Sequence, residues 1–245
     1  MALWMKFFLL IQGKQQHLNN SSLVFTEQLK LTKMIQSKYI ITPHLMEDEE
    51  EEAPKEEKQE QIGAMTMKKM EKLFFEKRAV YLWGVVDDKS AKEVVTKLLL
   101  LDADKPGEEI KFYINSPGGS VTSGMVMYDT IKLISSPVST ICMGLAASMG
   151  SILLSVGTKG KRFIYPHGEV MIHQPSIGGF FQATSADIEI QAEQMRKTKE
   201  LGANILATNC GKSFEQVMKD FDRDYWMDAN EAISYGIVDA VLDKL

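Results

Sequence analysis

The sequence predicts an α/β domain with a mainly parallel sheet, and three observations predict it. Short apolar runs of strand composition alternate with segments of helical periodicity from about Met65 onward. Turn-forming residues punctuate that alternation, most clearly in Asn115-Ser-Pro-Gly-Gly-Ser120. With 245 residues and 44% hydrophobic content, the chain is long enough for one well-buried domain plus a tail.

The elements follow in order. Met70-Glu-Lys-Leu-Phe-Phe-Glu-Lys reads as a helix leading into the strand Ala79-Val-Tyr-Leu-Trp. A helix through Ala91, Val94, Val95, Leu98 and Leu99 comes next, then the strand Lys111-Phe-Tyr-Ile ending at Asn115. The turn after it opens a helix through Met125, Tyr128, Ile131 and Leu133. Ser139-Thr-Ile-Cys-Met is strand-like and passes through Ala146, Ala147 and Gly150 into the apolar run Ile152-Leu-Leu-Ser-Val. Val170-Met-Ile-His-Gln-Pro is a short strand ended by its proline. Beyond Ile177-Gly-Gly-Phe-Phe-Gln, a long helical pattern places Ile188, Met195, Leu201, Ile205 and Leu206 at apolar positions and stops before Gly211. An apolar helix so late in the chain needs a surface to cover it, on its own domain or on another. Two capping-box signals, Ser213-Phe-Glu-Gln216 and Asp228-Ala-Asn-Glu231, open short helices, and the second yields at Gly236 to the strand Ile237-Val-Asp-Ala-Val-Leu.

Residues 1–67 differ in character. An apolar start (Trp4, Phe7, Phe8, Leu9-Leu-Ile) gives way to a Gln/Asn/Ser-rich segment, the acidic run Glu47-Asp-Glu-Glu-Glu-Glu52 and a Lys/Glu/Gln run. Nothing there buries a core, so an extension that is largely disordered is expected, with the folded domain at 68–245. The apolar start is too short to span a bilayer and lacks a small-residue cleavage motif; an upstream start, with Met34 or Met46 as the true first residue, fits as well. A net charge of −5 leaves no basic footprint for nucleic acid. Two cysteines make no disulfide framework and suit a reducing compartment, hence the cytoplasm.

The candidate nucleophile is Ser148, where strand turns into helix. A hydroxyl at a helix N-terminus faces unpaired backbone donors and the positive end of the dipole, which favours an oxyanion beside it. Ordinarily such a serine is only a helix cap. Gly144 stands four residues before Ser148, so the Gly-x-Ser-x-Gly elbow of the α/β-hydrolases is absent. His173, at the end of an apolar strand, is placed to reach a cleft as a base while its neighbours stay buried. The paired glycines Gly118 and Gly119 leave backbone N–H groups unshielded, enough to cradle an oxyanion or a phosphate, or merely to form a tight turn. That loop has no Walker lysine, which argues against a nucleotide. A cysteine nucleophile is weaker: Cys142 lies in an apolar run and reads as a small core residue. Three acids, Asp220, Asp222 and Asp224, crowd one segment, and the residues alone do not choose among them.

Ile114-Asn-Ser-Pro-Gly-Gly, Ser139-Thr-Ile-Cys-Met-Gly, Ala146-Ala-Ser-Met-Gly, Gly160-Lys-Arg-Phe and Met171-Ile-His-Gln-Pro, in this order and spacing, resemble the ClpP family, the proteolytic subunits of ATP-dependent Clp proteases. The resemblance runs from about Lys72 to Leu245. It implies a crotonase-like spiral of strand-strand-helix units with a protruding strand-helix handle, and a serine endopeptidase acting on unfolded chains or peptides. Ser148 matches the family nucleophile, His173 the base and Asp224 the third member of the triad; the backbone N–H groups of Gly119 and Met149 match the oxyanion donors.

The resemblance also implies that Asp222 and Arg223 make inter-subunit ion pairs, and that Tyr113, Leu133, Met143 and Phe163 receive a loop of a partner AAA+ unfoldase. Two seven-subunit rings would join through the handle, as a homo-oligomer or a mixed tetradecamer, and the partner rather than this chain would use ATP. No cofactor or metal is implied for the chain itself. Three departures stand out. The usual pore-shaping segment is replaced by Gln61-Ile-Gly-Ala-Met-Thr-Met-Lys-Lys-Met-Glu-Lys-Leu-Phe, Lys111 occupies a common aromatic position, and Leu145 replaces the usual glutamine. These point to a divergent paralogue working beside a second ClpP. The competing readings are a non-catalytic ring or scaffold subunit and a crotonase-type acyl-CoA enzyme.

Overall fold

A computed structural model describes residues 55–178 and 182–244; the expected tail before residue 55 and part of the predicted handle strand (179–181) lie outside the described residues. Among the described residues, seven helices and seven strands follow in order: α1 (Lys55–Glu76), β1 (Ala79–Trp83), α2 (Asp88–Asp104), β2 (Ile110–Ser116), α3 (Val121–Leu133), β3 (Val138–Ala147), α4 (Met149–Ser155), β4 (Arg162–Ile164), β5 (Glu169–Ile172), α5 (Ser185–Cys210), α6 (Phe214–Asp220), β6 (Tyr225–Met227), α7 (Ala229–Tyr235) and β7 (Ala240–Val241).

Strands β1-β2-β3-β4-β7 form a continuous parallel array. Alternate residues of β2 (Ile110, Phe112, Ile114, Ser116) are fully buried, and α2 covers the sheet with Ala91, Val94, Leu98 and Leu101. Leu99, expected on that face, is exposed together with Leu100, because the buried stripe runs through Leu98 and Leu101 on either side of them. Parallel strands covered by crossover helices are the α/β arrangement the alternation predicts.

One strand positions everything that follows. β3 pairs with β4 over Thr140–Cys142, then with β5 over Leu145–Ala147. Between these stretches lies Gly144 at φ 89°, where the strand changes partner, and opposite it the β2–β3 register shifts between Ile114 and Ser116. Asn115 holds the kink: its side-chain oxygen accepts the Leu145 N–H at 3.2 Å. The sheet therefore forks, and β5 carries β6 antiparallel on its far edge.

Two arginines are buried in the frame. Arg78 caps carbonyls of Leu101, Glu108 and Glu109 around the α2–β2 turn. Arg162, 2% exposed, grips Asp239 through Nε at 3.0 Å and Nη2, and donates to the Asn209 carbonyl at 2.9 Å, joining β4 to α5 and the segment before β7. Removing one partner of such a pair strands the other, which costs about 3–5 kcal/mol. Arg162→Ala is therefore expected to lower Tm by roughly 6–20 °C, readable by calorimetry. Burial pushes the Asp239 carboxyl up, but hydrogen bonds and charge from Arg162 more than offset it and hold the group below its ordinary value. The folded state thus binds this proton less readily than the unfolded chain. The stabilisation is complete above the unfolded value of about 3.9 and disappears as pH falls through the lower folded value. Arg162→Ala should flatten that acid limb.

Other elements depart from expectation in detail. Helix α1 begins at Lys55, well before Met70, since its Lys/Glu/Gln residues are good helix formers. The last strand is only Ala240–Val241 rather than Ile237–Leu242, because Ile237 and Val238 bond back to Ala232. Of the two capping boxes, Asp228/Glu231 closes both ways, whereas Gln216 turns instead to Asp220.

Candidate active site

The forked strand ends at Ala147, helix α4 begins at Met149, and Ser148 sits between them at φ 53°, ψ −120°. A non-glycine residue in this region is strained by about 1–3 kcal/mol and persists only where its surroundings hold it. Here the Ser148 N–H donates to the Met171 carbonyl at 2.8 Å, pinning the junction to β5. The hydroxyl makes no helix cap. It points instead to His173, with Oγ 2.9 Å from Nε2.

His173 follows β5 directly, and β6 runs antiparallel beside it with Ile172 opposite Tyr225. The next step along that ladder faces His173 with Asp224. The His173 Nδ1 to Asp224 Oδ1 distance is 2.9 Å, across 51 residues of sequence. The two neighbouring acids are engaged elsewhere. Asp222 takes Lys199 at 3.3 Å and, through its carbonyl, Gln174 at 2.7 Å, while Asp220 accepts from Gln216. Arg223 donates to the Asp222 carbonyl at 3.2 Å.

The paired-glycine loop closes over the same point. Val86 N–H donates to the Gly118 carbonyl and Ser120 N–H to the Val86 carbonyl, so the loop runs as one bridge of a strand beside Val86. Among the described residues, the N–H groups of Gly119 and of Met149 enter no backbone hydrogen bond. A Cβ on Gly118 would lie 2.7 Å from Ser148 Cβ and 2.8 Å from Met149 N, so the loop rests against the serine with no room for a side chain. Gly124 on α3 plays the same part behind it, because the Met149 side chain fills the space a Cβ would need.

Both cysteines are buried, which pushes the Cys142 thiol up to about 12 and the Cys210 thiol up to about 11. Neither supplies a thiolate near neutral pH. Among the described residues, no three His, Cys, Asp or Glu side chains group to hold a metal ion, and no helix is long and apolar enough to cross a membrane.

The other residues singled out from sequence fall elsewhere. Tyr113 and Phe163 line one pocket of about 250 Å³, with Ile141, Lys111 and Glu109. Leu133 and Met143 lie outside that lining, Leu133 being 84% exposed at the end of α3. The first half of α5 exposes Ile188 and Ile190, whereas Ala203, Leu206 and Ala207 pack into the core. Sequence reading passes over Phe221 and Gly202, which lie beside Ser148, because an apolar residue at a helix end and a glycine within a helix read as packing.

An α/β frame that brings a serine, a histidine and a carboxylate into line has the arrangement found in serine hydrolases. The Clp protease family model matches residues 61–245. The chain is 52% identical over 167 residues to ATP-dependent Clp protease proteolytic subunit 2 of Corynebacterium diphtheriae, covering 68% of this chain and 83% of that one. It is likewise 52% identical over 165 residues to the protein of the same name from Corynebacterium glutamicum, covering 67% and 81%. The chain belongs to the Clp protease family, as a proteolytic subunit.

Proposed function

We propose that Ser148 is the nucleophile, His173 the general base and Asp224 the group that orients it, with the Gly119 and Met149 N–H groups as oxyanion donors. Ser148 Oγ attacks the peptide carbonyl carbon while His173 Nε2 takes its proton. Asp224, accepting from Nδ1–H, fixes the tautomer and stabilises the imidazolium. Negative charge develops on the carbonyl oxygen between the two free N–H groups, and losing one such donor ordinarily costs about a hundredfold to a thousandfold. His173 then protonates the leaving amine, and a water repeats the sequence on the acyl-enzyme.

The observation that carries this reading is the uncapped Ser148 hydroxyl, held at positive φ and aimed at a histidine backed by a carboxylate.

The substrates proposed are unfolded polypeptides or peptides, delivered by an AAA+ unfoldase of the Clp family that alone uses ATP, in the cytoplasm. The particle is two seven-subunit rings joined through α5, whose exposed Ile188 and Ile190 need covering. This subunit forms the rings alone or beside a second ClpP, with residues 68–245 as the peptidase domain. Asp222 and Arg223 serve the contacts between subunits. Tyr113, Leu133, Met143 and Phe163 serve unfoldase docking, with Lys111 weakening an apolar anchor.

The test is labelling of the assembled protein by a fluorophosphonate. The wild type is expected to label and Ser148→Ala to lose labelling entirely. Asp224→Asn should label about 10⁴-fold more slowly. Asp222→Asn should label normally. An assembled ring with no labelling would make this a scaffold subunit.

A further inference from the structure

Asp224 is the least anchored of the three aligned residues. Its side chain is 60% exposed and, among the described residues, has no partner besides His173. What aims it is therefore main chain. On one side, Tyr225 is held to Ile172 by the last pairing of β6 with β5. On the other, Arg223 and Asp222 run exposed back to the buried Phe221. The ladder stops at Ile172, and Pro175, two residues beyond His173, has no N–H with which to extend it.

Gln174 supplies the missing tie. Its Nε2 donates to the Asp222 carbonyl oxygen at 2.7 Å, with an oxygen of the Asp222 carboxylate 3.4 Å away. A main-chain carbonyl only accepts, so the amide nitrogen is the end that faces it. The adjacent residues His173 and Gln174 thus hold one short segment twice, at Asp224 and at Asp222. The other contacts of Asp222 tie it less. Arg223 donates to the same carbonyl at 3.2 Å but belongs to the segment itself. The ion pair with Lys199, at 3.3 Å, uses an Asp222 side chain that is 55% exposed, where such pairs are worth little.

We propose that Gln174 is a positioning residue for catalysis: its amide, bonded to the Asp222 main chain, sets the Asp224 carboxylate in line with His173 Nδ1. This rests on Asp224 being the group that orients His173. The contact is to a carbonyl that any residue at 222 carries, so Asp222→Asn leaves it in place. A misplacement of about 1 Å in such a constellation ordinarily costs up to about a hundredfold in rate. Loss of the amide is expected to lower kcat by about 10- to 100-fold with KM unchanged, because Gln174 holds one part of the enzyme to another and not to substrate.

The experiment is a double-mutant cycle on assembled particles, read by the rate of fluorophosphonate labelling and by kcat and KM on a fluorogenic peptide. Gln174→Met keeps the length of the side chain and removes the donor. Gln174→Asn keeps the amide and falls one methylene short of the carbonyl. Each is made alone and together with Asp224→Asn, and if Gln174→Met does not assemble, Gln174→Asn completes the same cycle. Either single variant is expected to label about 10- to 100-fold more slowly than wild type. Neither should slow Asp224→Asn any further, since with the carboxylate gone nothing is left to aim.

Losses that multiply in the double variants, or a rise in KM that accounts for the whole effect, would mean that Gln174 packs or meets substrate and positions nothing. Gln174 variants that react at the wild-type rate beside a slow Asp224→Asn would remove Gln174 alone. An Asp224→Asn protein at the wild-type rate would instead remove the orienting role on which the proposal stands.

Discussion

Ser148→Ala is expected to lower kcat for peptide hydrolysis by about a millionfold, His173→Ala by a similar factor, and the double variant no further than either alone. The two atoms are 2.9 Å apart, and in the proposed mechanism they do one job, so removing either removes the whole proton transfer. What survives is binding and the backbone donors, which in such sites leave about 10³–10⁴ over water. A fluorogenic peptide assayed on assembled protein measures all three variants. Losses that multiply in the double variant would mean that the residues act separately. A Ser148→Ala protein retaining a tenth of its activity would move the chemistry to another group, and no nearby thiol is available, since burial pushes Cys142 up to about 12.

How far the sequence foretold this site differs from residue to residue. Ser148 was legible as the point where strand becomes helix, and β3 and α4 meet there. Its positive φ was not, because left-handed backbone is flagged by glycine and Ala147-Ser148-Met149 has none. His173 was legible as a strand-end histidine. Its carboxylate was not separable from its neighbours by local pattern, because the choice is made by a three-residue strand pairing across half a hundred positions. The resemblance selected Asp224, and in the structure Asp224 is the acid that lies 2.9 Å from His173 Nδ1, while Asp220 and Asp222 are engaged by Gln216, Lys199 and Gln174.

Periodicity found the helices but not which stripe faces in. Leu98 is buried and Leu99 exposed, and Leu133 ends α3 in solvent. Single-chain apolar patterning marks surface that needs covering without saying whether the cover is this chain or another.

Gly118→Ala is expected to lower kcat by about a hundredfold to a thousandfold with little change in KM. Gly118 sits at φ 89°, where an L-residue is strained by about 1–3 kcal/mol. Strain alone would cost stability rather than rate. The added methyl, however, would also stand 2.7 Å from the Ala147 carbonyl oxygen and from Ser148 Cβ, closer than Cβ contacts allow. The loop must lift away from the serine, and the next N–H, that of Gly119, proposed as an oxyanion donor, moves away with it. A charge present only in the transition state is then less well held, which reduces kcat rather than ground-state binding. Gly107→Ala separates the two effects. Its φ of 81° carries a similar backbone penalty, but nothing lies within 4 Å of the new methyl, far from the site in the α2–β2 turn. That variant should lose stability comparably and keep its turnover. Equal kcat in the two variants would show that the paired-glycine loop shapes the turn and nothing more.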